Sequence, residues 1–155
     1  MEHILEVFMK KIIYLFLLII GIAGIYTLID SRQLKESHYL LEQDMLTVNL
    51  TIEHQNNKLV TYTAITDIEF SEDARDEMLA SAEATVDQFS GYSGVTMSSE
   101  IEDNHMITTQ TLIFDEMVAS ELADEPNLAN FTNGVLSFGQ LEQALFQQGF
   151  QPVKD

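Results

Sequence analysis

The sequence predicts an α+β fold: an antiparallel sheet built from two β-hairpins, helices packed on one face in the order ββαββα, and one N-terminal apolar helix ahead of them. Three observations predict it. Leu46, Val48, Leu50 and Ile52 alternate with Thr47, Asn49, Thr51 and Glu53, the period of a strand buried on one face. Met78, Ala82, Val86 and Phe89 recur at helical spacing, while Asp73, Asp76, Glu83 and Asp87 fall on the opposite face. Val95 to Glu102 and His105 to Phe114 are β-prone and meet at Asp103-Asn104, which reads as a second hairpin.

Gln55-Asn56-Asn57-Lys58 supplies the first turn, and Leu59 to Phe70 returns as a strand with Val60, Tyr62 and Ala64 on one face. Ser71 is placed to cap the helix over 72–90, whose first turns carry Glu72, Asp73, Asp76 and Glu77, where the helix dipole favours negative charge. Gly91 and Gly94 close it. Asp115 to Asn133 holds five carboxylates and Pro126 and reads as a broken helix or loop. Ser137-Phe138-Gly139-Gln140 fits a capping box, and Phe138, Leu141 and Leu145 then line one helical face. Gly149 can leave that helix in the left-handed conformation, with Phe150 folding back on the last turn.

Ahead of the domain, Ile12 to Ile29 is an 18-residue run without charge. As a helix it would extend ~27 Å, close to the ~30 Å core of a bilayer. Lys10 and Lys11 precede the run and carboxylates dominate the chain beyond it, so the positive-inside bias puts the N-terminus in the cytoplasm and the rest outside. Gly21 and Ala23 form a small-x-small pair at which a signal peptidase could cut. Hydrophobicity continues past that point through Ile25, Tyr26, Leu28 and Ile29, which favours an uncleaved single-pass anchor; cleavage would make the protein secreted. Met9 before the two lysines also fits a start site. The expected organisation is a cytoplasmic N-terminus (1–11), an anchor or signal segment (12–29), a linker (30–44) with a helical hint over Gln33 to Gln43, and an extracytoplasmic domain (45–155).

Composition limits the function. The 155 residues carry 7 Lys+Arg against 25 Asp+Glu, a formal charge of −18. An excess of this sign repels phosphate backbones and anionic lipid, so nucleic acid is not an expected partner. Without cysteine there is no disulfide, thiol catalysis or Cys-based metal centre.

The remaining residues offer no convincing catalytic or metal-binding constellation. His54 and His105 fall at opposite ends of the predicted sheet, too far apart to share a site. Glu100, Glu102, Asp103 and Asn104 at the second turn, and Glu121, Asp124 and Glu125 in the loop, could hold a hard cation weakly, but no calcium-loop spacing occurs. Ser98, His105 and Asp103 can be written as a nucleophile set, yet all three lie on one hairpin and no G-x-S-x-G elbow is present. The sequence thus assigns no catalytic, cofactor or metal residues.

Gly91-Tyr92-Ser93-Gly94-Val95, the strand end Ile113-Phe114-Asp115 and the closing Leu145-Phe146-Gln147-Gln148-Gly149-Phe150 carry a resemblance over roughly residues 45–153. The chain resembles the YehR-like family of small bacterial envelope lipoproteins. The resemblance implies an envelope domain without established enzymatic activity. Ile22-Ala23-Gly24-Ile25 resembles the family's lipobox with Ile25 in place of its lipid-modified cysteine, so that an uncleaved helix would replace the lipid anchor.

The expected function is that of a membrane-anchored, non-catalytic binding module for an envelope protein or peptide, its sheet edge open to β-augmentation and its acidic surface suited to cationic partners. An envelope hydrolase using acidic residues and low-affinity divalent-cation binding are the alternatives.

Overall fold

Asn56 and Asn57 both adopt left-handed backbone (φ 51° and 63°), the geometry of a tight hairpin turn that suits the twist of the strands it joins. Around such turns the chain builds one antiparallel sheet. The computed structural model describes residues 33–125 and 136–154. They form strands β1 (Lys35–Gln43), β2 (Leu46–Gln55) and β3 (Lys58–Glu69), a 3-10 turn (Glu72–Ala74), helix α1 (Arg75–Phe89), strands β4 (Val95–Glu102) and β5 (His105–Ile113), helix α2 (Phe138–Gln147) and strand β6 (Gln151–Val153). The six strands lie in the order β4-β5-β3-β2-β1-β6, every neighbour antiparallel.

The register puts one face of the sheet in the core. Tyr39, Leu50, Ala64, Gln110 and Met97 form one row across five strands; Ser37, Ile52, Tyr62, Leu112 and Val95 form the next. Both helices cover this face, because Met78, Ala82 and Phe89 of α1 and Leu141 and Leu145 of α2 join the same buried cluster as Tyr39, Leu50, Ala64, Ile52, Tyr62, Leu112 and Val95 of those rows. The opposite face stays open to solvent. One of its rows runs His38, Thr51, Thr63, Thr111 and Thr96, and Thr63 Oγ1 lies 3.4 Å from Thr111 Oγ1.

Both predicted hairpins, helix α1 and helix α2 are present, and the α+β class holds. The strand inventory is larger than predicted. Residues 35–43, assigned to a linker with helical character, pair with β2 over their whole length as β1, and residues 151–153 add β6. Tyr39 and Leu41 are the two buried side chains of β1; two alternating positions set among Lys35, Glu36 and Glu42 are a weak period-two signal, and pairing with β2 decides the outcome.

The facing of β3 also departs from the sequence pattern at its start. The sequence pattern groups Val60 with Tyr62 and Ala64, but the pairing slips between Glu53 and His54, so that Leu59 opposes His54 and Thr61 opposes Glu53. The extra residue is Val60, a bulge that brings Leu59 and Tyr62 onto the core face together. Helix α1 also begins later than expected, after the 3-10 turn, and the Ser71 side chain makes no capping hydrogen bond. The capping box of α2 is formed: Ser137 Oγ accepts from the Gln140 backbone N–H at 3.3 Å, and Gln140 Oε1 accepts from the Ser137 N–H at 2.9 Å.

The apolar run at 12–29, Pro126 and the second half of the predicted loop lie outside the described residues. Among the described residues no helix is long and apolar enough to cross a membrane.

Candidate functional site: a groove beside an open sheet edge

The two edges of the sheet differ. Strand β6 spans three residues with Pro152 at its centre, and a short proline-bearing edge discourages further pairing. Strand β4 spans eight residues, VTMSSEIE, with neither proline nor lysine to blunt it. The Ile113 N–H donates to the Gly94 carbonyl at 2.8 Å, which makes 94 and 113 a hydrogen-bonded pair. Antiparallel alternation then turns the backbone of Thr96, Ser98, Glu100 and Glu102 toward β5, and that of Met97, Ser99 and Ile101 outward. These outward amides and carbonyls have no partner strand among the described residues.

Helix α1 stands over this edge. Chain order places it there, since α1 leads straight into β4 through the Gly91 to Gly94 turn. Gly94 (φ +72°) is fixed by close approach: a Cβ would lie 2.6 Å from the Ile113 carbonyl oxygen and 2.8 Å from the Met117 nitrogen. Glu121 holds the same turn, accepting from the Ser93 N–H at 2.8 Å and the Ser93 hydroxyl at 3.2 Å. Between helix and edge lies an open groove of about 490 Å³. Leu79, Ala82 and Val86 line it from α1 and Met97 and Ile101 from β4, while Glu83 and Asp87 give it an acidic rim on the helix side. Val86, expected in the core stripe, is only half-buried and faces this groove with Leu79.

The residues singled out for chemistry are dispersed. His54 opposes Leu59 and His105 opposes Glu69, ten residues of β3 apart, so roughly 30 Å separates them. Ser98 opposes Thr109, four residues along β5 from His105, about 13 Å away, and the Asp103 carbonyl accepts from Arg75 Nη1 at 2.7 Å. His105 Nδ1 instead meets Asp67 Oδ1 at 2.8 Å. That hydrogen bond is the chief reason its pKa is raised, with the charges of Asp67, Glu69 and Asp103 adding to it. Glu121 and Glu125 of the acidic loop serve as acceptors for Ser93 and Gln88. Among the described residues no three His, Asp or Glu side chains are grouped to hold a metal ion.

One polar cluster escaped the sequence reading because β1 did. Ser37 Oγ lies 3.2 Å from His54 Nε2, and the Tyr39 hydroxyl donates to Glu142 Oε1 at 2.6 Å. His54 is buried beneath Phe138, and that burial, with Lys35 nearby, lowers its pKa. Burial first, then the hydrogen bond to Glu142, raises the pKa of Tyr39. These are contacts that seat α2 on β1 and β2.

Neither a family model nor a curated protein matches the chain. Two solved structures do in fold. The NMR structure of the Escherichia coli YehR protein superposes with a TM-score of 0.65 at 14% identity, covering 79% of this chain and 93% of that one. The NMR structure of a protein from Streptococcus pneumoniae TIGR4 gives a TM-score of 0.54 at 9% identity, covering 86% and 93%. At these identities the likeness is one of architecture, and the chain has a YehR-like fold.

Proposed function

We propose that this domain is a non-catalytic binding module that accepts an extended segment of a partner protein along the β4 edge, and that its N-terminal apolar run holds it outside a bacterial cell membrane. The coincidence of an unpaired edge strand with a helix-lined apolar groove carries the binding reading. Main-chain pairing with the edge supplies affinity in this mode, and the groove sorts alternate side chains. The placement outside the membrane rests on Lys10, Lys11 and the uncharged run after them.

Two measurements test the two parts. Random peptides selected on the immobilised chain should shift the amide resonances of β4 and α1 when titrated into labelled protein. Selected peptides that shift only α2 and β1, or a selection that enriches none, would overturn the binding reading. Alkaline phosphatase fused after residue 155 should be active in a bacterial host; an inactive, cytoplasmic fusion would overturn the placement.

A further inference from the structure

We infer that the segment taken up by the β4 edge is a cationic strand of alternating character, with apolar side chains toward α1 and Lys or Arg side chains toward the open face of the sheet. The inference rests on the β4 edge being the binding site and adds the chemistry of the occupant.

The alternation is set by the pleat. A strand added beside β4 points successive side chains to opposite faces. On the helix side they meet Leu79, Ala82, Val86, Met97 and Ile101, an apolar wall that favours residues such as Val or Leu. On the other side they run beside Ser98, Glu100 and Glu102, all exposed and directed away from α1. Glu83 and Asp87 add two carboxylates on the helix lip. Among the described residues none of these four carboxylates has an ion-pair partner; the ion pairs found there join Glu36 with His38, Lys58 with Asp115 and Asp67 with His105.

The same charge selects against a second copy of the chain. Edge-to-edge pairing of two β4 strands would bring two Glu100 and Glu102 sets together between chains that each carry −18. A cationic strand converts that repulsion into attraction. The outward backbone of Met97, Ser99 and Ile101 spans about 13 Å, enough for about five residues of added strand.

The test uses the full chain in neutral detergent and labelled peptides of about seven residues, with binding read by fluorescence anisotropy. A peptide alternating Lys and Val should bind at least tenfold tighter than one alternating Glu and Val, or than the same Lys and Val residues in two blocks. Its affinity should fall several-fold as salt rises from about 50 to 200 mM. The Glu100→Gln/Glu102→Gln variant should lose about fivefold for the Lys peptide and nothing for one alternating Thr and Val.

Ser99→Pro removes an N–H that points to solvent and keeps the ladder to β5, at the cost of the Ser99–Thr108 hydroxyl hydrogen bond, so the sheet is retained with some loss of stability while binding of every alternating peptide is lost. Val86→Arg, at a half-exposed position, blocks the groove independently should the proline variant fail to fold. Equal binding of the Lys/Val and Thr/Val peptides, abolished by Ser99→Pro, would overturn the cationic inference and leave the edge reading standing. No binding by any alternating peptide would overturn both. Blocked and alternating Lys peptides binding alike, to wild type and Ser99→Pro, would reduce the effect to bulk charge and overturn the inference, as would a dimer held by β4 in light scattering.

Discussion

The imidazole of His54 lies face to face on the ring of Phe138, with centroids 3.5 Å apart and planes 6° from parallel. The stack buries a titratable group, and burial disfavours its charged form, so the folded-state pKa lies below the ordinary 6.5. The unfolded chain then binds the proton more readily than the folded one near that pH. The stability this neutral histidine contributes is complete above about pH 6.5 and is lost as pH falls through the lowered value. His54→Phe keeps the stack and removes the titration. Urea unfolding between pH 5 and 8 should show a flatter acid limb for this variant than for wild type; parallel limbs would mean that His54 titrates normally.

His105 shifts the other way, because the hydrogen bond to Asp67 favours its charged form. Its contribution is complete below about pH 6.5 and is lost as pH rises through the raised folded pKa. Titration of the ring protons by NMR should place His54 below and His105 above the ordinary midpoint. Asp67→Asn should bring His105 back toward that midpoint and leave His54 where it is, since the two sit at opposite ends of β3. Coincident midpoints in wild type would contradict the geometry of both sites.

Gly94 meets two separate demands. Its left-handed backbone disfavours any side chain, and a Cβ would press on backbone atoms of Ile113, Glu116 and Met117 that cannot rotate away. Gly94→Ala should therefore cost roughly 3–5 kcal/mol, adding left-handed strain to overpacking. Gly91 is also left-handed, but nothing lies within 4 Å of the position a Cβ would take there. Gly91→Ala should cost about 1–2 kcal/mol, the backbone term alone. Equal losses for the two variants in chemical denaturation would show that close approach plays no part.

Local patterns that a single segment can satisfy were legible in the sequence. The Asn56-Asn57 and Asp103-Asn104 turns, the Ser137-Gln140 capping box and the left-handed Gly149 all depend on neighbours within a few residues. What escaped depends on partners far along the chain. β1 exists because 35–43 finds β2, and β6 because 151–153 finds β1. The groove was hidden for the same reason: an edge strand is an edge only by the order of the sheet, and Val86 reads as core until α1 is seen to overhang β4. The acidic character of the domain was legible from composition, but not which strand would lie at the edge of the sheet. The Tyr39–Glu142 contact joins residues 103 apart and left no local trace.

The core face also carries an unpaired hydroxyl. Thr66 is fully buried between Val48 and Thr108 in the cross-strand row, and its Oγ1 has no hydrogen-bond partner among the described residues. The neighbouring hydroxyl is satisfied, since Thr108 Oγ1 lies 3.0 Å from Ser99 Oγ. Burying a hydroxyl without a partner costs about 1–3 kcal/mol, and valine has nearly the same shape with a methyl in its place. Thr66→Val should stabilise the domain by about 1 kcal/mol, whereas Thr108→Val should lose roughly 0.5–1.5 kcal/mol with its hydrogen bond. Urea midpoints of the two variants, at unchanged slope, decide the matter. A loss of stability in Thr66→Val would show that a buried water satisfies the hydroxyl in solution, because only a paired hydroxyl is costly to remove.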